Sequence, residues 1–272
     1  KLMKIGVLFR LESDVANEMK KIADMGLHSC QITCWDMDML TPEKAEEVNV
    51  ASKKYDVEVS TFWCGYRGER IWNFIDGPRT LGIVPADLRA DRTEDLKRGS
   101  DFAKLIGATQ MATHAGFLPE CPTDPQYPGV IDALRQIAER CKANGQYFLF
   151  ETGQETPTTL LRVIEDIGTG NVGINLDPAN LLMYGKANPV DSLRIIGKYV
   201  RDVHAKDGEY PTCGSQLGVE KPLGEGSVNF PALIKGLKEC GYDGAITIER
   251  EISGEKQIAD IKRAIEILSD LI

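Results

Sequence analysis

The sequence predicts an α/β protein, a (β/α)₈ TIM barrel that forms a single domain over residues 1–272. Three observations favour this fold. Short β-rich segments alternate with helical segments eight times along the chain. Eight such units in 272 residues suit the length of a closed barrel, and no low-complexity linker divides them. The rival fold, a doubly wound sheet that binds a dinucleotide, lacks support because no G-x-G-x-x-G motif follows the first strand.

The predicted strands are short and rich in β-branched and aromatic residues. In chain order they cover 4–9, 29–34, 57–64, 108–115, 146–152, 172–177, 200–206 and 244–250. Helices are predicted near 14–26, 42–55, 93–106, 129–144, 156–167, 189–198, 229–240 and 255–271. The second helix has a clear start, because Thr41 is a good N-cap and Pro42 suits the first helical position.

Two of the predicted strand-to-helix connections are long, 65–91 and 207–228. In a barrel such loops lie at the carboxyl-terminal rim, where active sites are built. The first loop carries aromatic and basic side chains that suit a lid over a site, although an ordinary packed surface loop explains each one equally well. These side chains are Arg67, Arg70, Trp72, Phe74 and Arg79.

Composition narrows the class of partner. A net charge of -9 argues against non-specific nucleic-acid binding, which needs basic patches. No segment is long and apolar enough to predict a membrane span. The seven cysteines are odd in number, scattered and without a C-x-x-C pair, which favours free thiols in a reducing, cytoplasmic compartment. The sequence leaves open whether a leader was removed and whether the chain forms a homo-oligomer.

Four of the predicted strands carry a polar side chain at or within two residues of their end, although a buried charge is costly unless it is paired or bound to a metal. Side chains alternate between the two faces of a strand. In the last strand Glu249 therefore shares one face with Thr247, whereas Ile246 and Ile248 share the other. The same parity in three other strands places every polar end on the inner face, at the carboxyl-terminal mouth. The four residues are Glu151, Asp177, His204 and Glu249.

These four side chains belong to consecutive strands, so we expect them to converge on one point. Three carboxylates and an imidazole repel or lose their charges at close range unless a cation joins them. Oxygen-rich ligand sets with one nitrogen suit Mn²⁺, Mg²⁺ or Co²⁺, and Zn²⁺ is also compatible. A lone residue of this kind is more simply an ordinary buried charge or a solvated strand end. Four on neighbouring strands favour a divalent metal site.

Two further polar residues point to the same mouth. His114 ends the fourth predicted strand beside Glu151, where a substrate contact and a satisfied core histidine are equally compatible with the sequence. Lys206 lies two residues beyond His204 on the same face. A substrate contact is the favoured interpretation for Lys206, and an ion pair at the rim is the alternative.

At these residues the sequence resembles the xylose isomerase-like TIM barrel superfamily, in particular its sugar phosphate isomerase and epimerase branch. The similarity is carried by "FET", "NLDPAN", "VHAKD", "LGEGSVNF" at 223–230 and "GYDGAITIERE" at 241–251. It implies that Glu151, Asp177, His204 and Glu249 bind a divalent metal ion. The ketose 3-epimerases of this branch have a substrate-binding histidine where this chain has Asn180, and an arginine where it has Tyr210.

The resemblance implies a carbohydrate substrate and an enediolate mechanism. Glu151 and Glu249 would exchange the proton in an isomerisation or epimerisation, with five residues around them to bind the sugar. These five are His114, Gln154, Glu155, Asn180 and Lys206. The alternative is a lyase or dehydratase of a keto-sugar or keto-inositol that uses the same site, with Lys206 or His114 as the acid. A non-catalytic sugar-binding barrel is less favoured, because it does not need two glutamates opposed across a metal.

Two other functions have weaker support. The abasic-site endonucleases share this fold, but they need several histidine ligands for a three-metal cluster, and this acidic chain has only three histidines in total. The segment 223–230 leads glycines into a helix start, where backbone N–H groups can hold a phosphate. An ordinary loop is the favoured interpretation of that segment.

Overall fold

A computed structural model describes residues 3–272 of the chain. Eight parallel strands close into a barrel in the order β1-β10-β7-β6-β5-β4-β3-β2, with β1 paired to β10 across the closure. A two-stranded antiparallel hairpin, β8 and β9, lies in the connection after β7. The strands are β1 (Lys4–Arg10), β2 (Ser29–Cys34), β3 (Glu58–Cys64), β4 (Gln110–Thr113), β5 (Tyr147–Glu151), β6 (Val172–Leu176), β7 (Val200–Ala205), β8 (Asp207–Gly208), β9 (Glu220–Lys221) and β10 (Ala245–Ile248). The predicted (β/α)₈ barrel is confirmed.

Helices surround the barrel and cover its apolar outer face. They are α1 (Val15–Asp24), α2 (Pro42–Tyr55), α3 (Gly77–Thr80), α4 (Ala86–Leu105), α5 (Tyr127–Ala143), α6 (Pro157–Ile167), α7 (Pro178–Met183), α8 (Pro189–Ile196), α9 (Phe230–Glu239) and α10 (Glu255–Ser269). As predicted, Thr41 caps α2, accepting a hydrogen bond from the amide of Lys44. The main core fills the layer between strands and helices, and a smaller one, around Trp63, Ala112 and Leu149, fills the barrel interior.

The sequence-based assignment is wrong in four places, one of which is the hairpin β8–β9 within the connection 207–228 that was predicted as loop. Helix α4 begins at Ala86 instead of near residue 93, because its polar first two turns carry almost no apolar periodicity. The short helices α3 and α7 were predicted as loop. Helix α7 starts where Oδ1 of Asp177 accepts a hydrogen bond from the amide of Asn180, so Asp177 is an N-cap as well as a strand end.

The long connection between β3 and α4 is tied to the barrel by a buried guanidinium. Arg92 donates hydrogen bonds to the backbone carbonyls of Arg67, Glu69, Thr80 and Gly82, and none of its surface is exposed to solvent. These bonds join both ends of the loop to one fixed point on α4. The loop is therefore held as a wall at the mouth of the barrel.

Two of the five side chains suggested for a lid are engaged elsewhere. Arg67 pairs with the buried carboxylate of Asp95, and Arg79 pairs with Asp76.

Within residues 3–272 no helix has both the length and the apolar composition needed to cross a bilayer. All seven cysteines are free thiols, as their spacing predicted.

Candidate metal centre

The four polar strand ends meet inside the mouth of the barrel. Glu151 is the last residue of β5 and His204 lies near the end of β7, while Asp177 and Glu249 directly follow β6 and β10. One ligand atom from each of the four lies within 4.8 Å of those from the other three. Strand parity and the parallel barrel bring together side chains that are up to about a hundred residues apart in sequence.

The distances around His204 define the centre of this cluster. Its Nδ1 atom lies 3.1 Å from Oε2 of Glu249, 3.4 Å from Oε1 of Glu151 and 3.7 Å from Oδ2 of Asp177. Asp177 and His204 are fully buried, and only 4% of Glu151 is exposed. Several carboxylates so close together in a buried site need a positive charge to remain ionised.

Three of these atoms have no hydrogen-bond partner among the described residues: Oδ2 of Asp177, Nδ1 of His204 and Oε2 of Glu249. A buried polar atom without a partner costs about 1–3 kcal/mol. All three face the same point, together with Oε1 of Glu151. A divalent cation at that point would satisfy all of them, so the donor set fits a metal ion.

The opposite edge of the imidazole is held by Gln31 inside the barrel. Nε2 of His204 lies 2.8 Å from Oε1 of Gln31, and Gln31 donates a hydrogen bond to Oδ1 of Asn175, which fixes the orientation of the Gln31 amide. When Nε2 donates its proton to Gln31, Nδ1 offers its lone pair to the centre. Such support fixes the orientation and tautomer of a metal-binding histidine.

Lys206 is a buried cation beside the cluster. Its Nζ lies 3.1 Å from Oε1 of Glu251, 3.4 Å from Oε2 of Glu249 and 3.6 Å from Oδ2 of Asp177. Burial opposes ionisation of Glu249, but Lys206 and His204 outweigh it and lower the pKa of Glu249 to about 2. Burial also opposes ionisation of Glu151, yet His114 and His204 hold its pKa well below the usual range.

Sequence reasoning missed Glu251, although a signal was present. The segment "ERE" places Glu251 on the same face as Glu249, by the alternation that identified Glu249 itself. The residue between them, Arg250, pairs with Glu220 and Asp260. Those two ion pairs hold the segment after β10, so that both glutamates point toward Lys206.

The residues predicted to bind the substrate surround the four central side chains. Nε2 of His114 lies 3.4 Å from Oε1 of Glu151, and Asn180 donates to the same oxygen over 3.2 Å. Gln154 and Glu155 are buried in the loop after β5, where both side-chain polar atoms of Gln154 and Oε1 of Glu155 lack a partner among the described residues. Burial raises the pKa of Glu155 to about 7. Tyr210 is 45% exposed in the loop after β8.

The other side of the mouth is aromatic. All three tryptophans of the chain, Trp35, Trp63 and Trp72, form one cluster with Tyr66, which we call the aromatic wall. Ring centroids of Trp35 lie 5.0 Å from Trp63 and 6.2 Å from Trp72. Trp63 Nε1 also donates a hydrogen bond to Oε2 of Glu151, so the wall contacts the acidic cluster directly.

The glycine-containing segment 223–230 does not offer its amides to a ligand. The backbone N–H groups of Gly224 and Val228 donate to the carboxylate of Asp207, over 2.9 and 3.1 Å. The same carboxylate accepts from the amide of Gly208. These contacts agree with the favoured interpretation of the segment as an ordinary loop, because the Asp207 side chain already accepts hydrogen bonds from two of its amides.

Known proteins share the sequence pattern and the fold of this chain. The model of the xylose isomerase-like TIM barrel family matches residues 19–271. The crystal structure of a xylose isomerase domain protein from Planctomyces limnophilus superposes with a TM-score of 0.93 at 33% identity, covering 100% of this chain and 98% of the other. A D-tagatose 3-epimerase-like protein superposes with a TM-score of 0.76 at 25% identity, covering 99% and 97%.

Two curated proteins are similar to this chain in sequence. The uncharacterized protein MJ1311 of Methanocaldococcus jannaschii is 26% identical over 98% of this chain and 89% of its own length. The inosose dehydratase of Lacticaseibacillus casei is 22% identical over 47% of this chain and 48% of its own length. The relatives and structural neighbours thus include sugar epimerases and a dehydratase. The matches over the full length show that this chain belongs to the xylose isomerase-like TIM barrel family.

Proposed function

We propose that this protein is a divalent-metal-dependent sugar isomerase or epimerase that transfers a proton through an enediolate. One observation carries the proposal: buried atoms of Asp177, His204 and Glu249 that have no hydrogen-bond partner among the described residues lie together with Glu151 in one cluster. The epimerases among the structural neighbours support a carbohydrate substrate.

Glu151, Asp177, His204 and Glu249 would hold the cation, and Mn²⁺, Mg²⁺ or Co²⁺ suits this oxygen-rich set better than a thiolate site would. When bound, it would act as a Lewis acid for adjacent hydroxyl and carbonyl oxygens of the sugar and stabilise the negative charge that develops there. The protein supplies the proton transfer and the orientation of the substrate.

The two glutamates would work from opposite sides of the sugar. Glu151 is the last residue of β5 and Glu249 directly follows β10, and these two strands flank β6 and β7 in the barrel. One carboxylate removes a proton from the carbon beside the carbonyl group, and the other returns a proton from its own side. Return to the same carbon on the opposite face gives an epimer, and return to the neighbouring carbon gives an isomer.

Five polar residues would hold the sugar around this pair. Gln154, Glu155 and Nδ1 of His114 have buried polar atoms without partners among the described residues, and such atoms suit sugar hydroxyl groups. Asn180 and Lys206 lie between the two glutamates: Asn180 donates to Glu151, and Lys206 lies 3.4 Å from Glu249. The hydrogen bond from Asn180 and the ion pair with Lys206 would hold the two carboxylates in the geometry for proton transfer.

A second candidate is elimination of water from a keto-sugar or keto-inositol. Here one glutamate removes the proton beside the carbonyl, the C–O bond at the next carbon breaks, and the departing hydroxyl accepts a proton to leave as water. Lys206 is a buried ammonium at the centre, and Glu155, with a pKa near 7, is a second proton donor. The partial match to an inosose dehydratase supports this candidate.

Deuterium exchange tests the proposal. Metal-loaded protein in D₂O is incubated with a panel of ketoses, keto-glycosides and inososes, and the products are read by NMR. We expect deuterium at the carbon beside the carbonyl, lost in Glu151→Gln and Glu249→Gln and retained in the exposed control Glu239→Gln. Exchange with loss of water would select the elimination. Sugar binding without any exchange would overturn both reactions and leave a sugar-binding barrel.

A further inference from the structure

An exposed indole stands beside the centre. Trp72 is 40% exposed, and its ring centroid lies 5.3 Å from the His114 imidazole. His114 in turn lies 3.4 Å from Glu151. One ring therefore separates Trp72 from the acidic cluster, and a sugar held at that cluster lies within reach of the indole.

The aromatic wall is held in place before any ligand binds. Arg92 fixes the backbone at both ends of the loop that carries Trp72, and the Tyr66 hydroxyl accepts a hydrogen bond from the amide of Gly82 in the same loop. Arg70 stacks over Trp35 at 4.3 Å. A surface that is already ordered costs little conformational entropy when a ligand packs on it.

The apolar surface continues along the rim. Phe74 lies 6.2 Å from Tyr184, and Phe117 lies 5.9 Å from the same ring. The polar side chains of Gln154 and Glu155, in the loop after β5, are almost fully buried, as are Glu151, Asp177 and His204 of the acidic cluster. The mouth therefore combines flat apolar surfaces with polar groups deeper inside.

We propose that the aromatic wall binds the flat face of a sugar ring, so that the substrate is a closed-ring compound, a pyranoside or a cyclitol derivative, and not an open-chain sugar. A six-membered ring presents C–H groups on its faces and hydroxyl groups around its edge. It can stack on Trp72 while its edge reaches the polar groups below. An open chain carries hydroxyl groups on all sides, and packing it on an indole leaves some of them desolvated.

Fluorescence gives a test that does not depend on turnover, because all three tryptophans lie in the wall. Mg²⁺-loaded protein is titrated with methyl β-D-glucopyranoside and myo-inositol as rings, and with D-glucitol as the open-chain probe. None of these has a free carbonyl group for the reaction. We expect both rings to change the emission and to bind at least about tenfold more tightly than D-glucitol.

Variants locate the contact. Trp72→Ala should weaken ring binding at least about tenfold by ligand-observed NMR, whereas Trp72→Phe should retain most of it. Ile75→Ala, at a 67% exposed position of the same loop, is the matched control and should bind as the parent does. Equal affinity for D-glucitol and the rings, or unchanged ring affinity in Trp72→Ala with its metal content intact, would overturn the inference.

This inference rests on the proposed function, but the two fail differently. Deuterium exchange with open-chain ketoses alone would overturn the ring and leave the enediolate chemistry standing. Ring binding that depends on Trp72, without exchange in any ring ketone, would overturn the chemistry and leave the ring-binding wall standing.

Discussion

The acidic and aromatic halves of the barrel mouth differ in how their interactions are satisfied. The acidic half, on β5, β6, β7 and β10, keeps three buried polar atoms without partners among the described residues. The aromatic half, on β2, β3 and the loop after β3, is closed by its own contacts, because Arg92 binds four backbone carbonyls and the rings pack on one another. The acidic half thus has a donor set that could hold a cation, whereas the aromatic half is satisfied by contacts within the protein.

Two side chains of the aromatic half cross the barrel and hold the acidic half. Gln31 on β2 contacts His204, and Trp63 on β3 donates to Glu151. The two halves therefore differ in what they contribute: the acidic half carries the charged groups, and the aromatic half provides two contacts that orient them. Three changes test this division.

The largest effect should come from the acidic half itself. Asp177→Asn removes a charged oxygen from the centre, and we expect Mn²⁺ affinity to fall by about 100-fold or more, because the ligand set loses one of its three carboxylates. We expect Mn²⁺ at 100 times Kd to stabilise the parent by about 2.7 kcal/mol and so to raise its melting temperature, and we expect this rise to be nearly lost in the variant. Calorimetric titration measures the first effect and a thermal melt the second, with Glu239→Gln as control. Parental affinity in Asp177→Asn would remove the cation from this site.

A second test lies at the boundary of the halves, where Glu155 is buried near His114. Burial raises the pKa of Glu155 from 4.5 to about 7, so the folded protein keeps a proton that the unfolded chain has released. The free energy of unfolding should therefore fall as pH rises through this range, by about 3 kcal/mol in all. Glu155→Gln has no such proton to lose.

The measurement is urea unfolding of both proteins from pH 4.5 to 8 in EDTA. The variant should gain stability relative to the parent as pH rises, most steeply between the unfolded and folded pKa values. The exposed Glu165→Gln on α6 should leave the pH dependence of the parent unchanged. A constant difference between Glu155→Gln and the parent would mean that folding leaves the pKa of Glu155 unchanged.

The smallest effect should come from the aromatic half's support of the ligands. Gln31→Met keeps the size of the side chain but removes the oxygen that accepts from Nε2 of His204. We expect Mn²⁺ affinity to fall by about 10–100-fold, while Gln31→Glu, which keeps an acceptor, retains more of it. Calorimetric titration of the two variants against the parent measures the difference. Equal affinities for Gln31→Met and the parent would show that the acidic half needs no support from β2.

The four-residue cluster could be predicted from the sequence because two simple geometric rules combine. Alternation along a strand decides which face Glu151, Asp177, His204 and Glu249 occupy, and parallel strands place their carboxyl ends at one rim. The helix α7 could not be predicted in the same way. Its first residue follows Asp177 directly, and a six-residue helix carries too little apolar periodicity to be distinguished from a loop.

Local sequence patterns were enough to predict the barrel, the order of its units and the four polar strand ends, because each pattern lies within a few residues of the chain. The contact of Gln31 with His204, 173 positions away, and that of Trp63 with Glu151, 88 positions away, became visible with the folded structure. The same holds for Lys206 between Glu249 and Glu251, and for Arg92 beneath the aromatic wall. Those contacts depend on the register of the closed barrel and on side-chain rotamers, which no local pattern specifies.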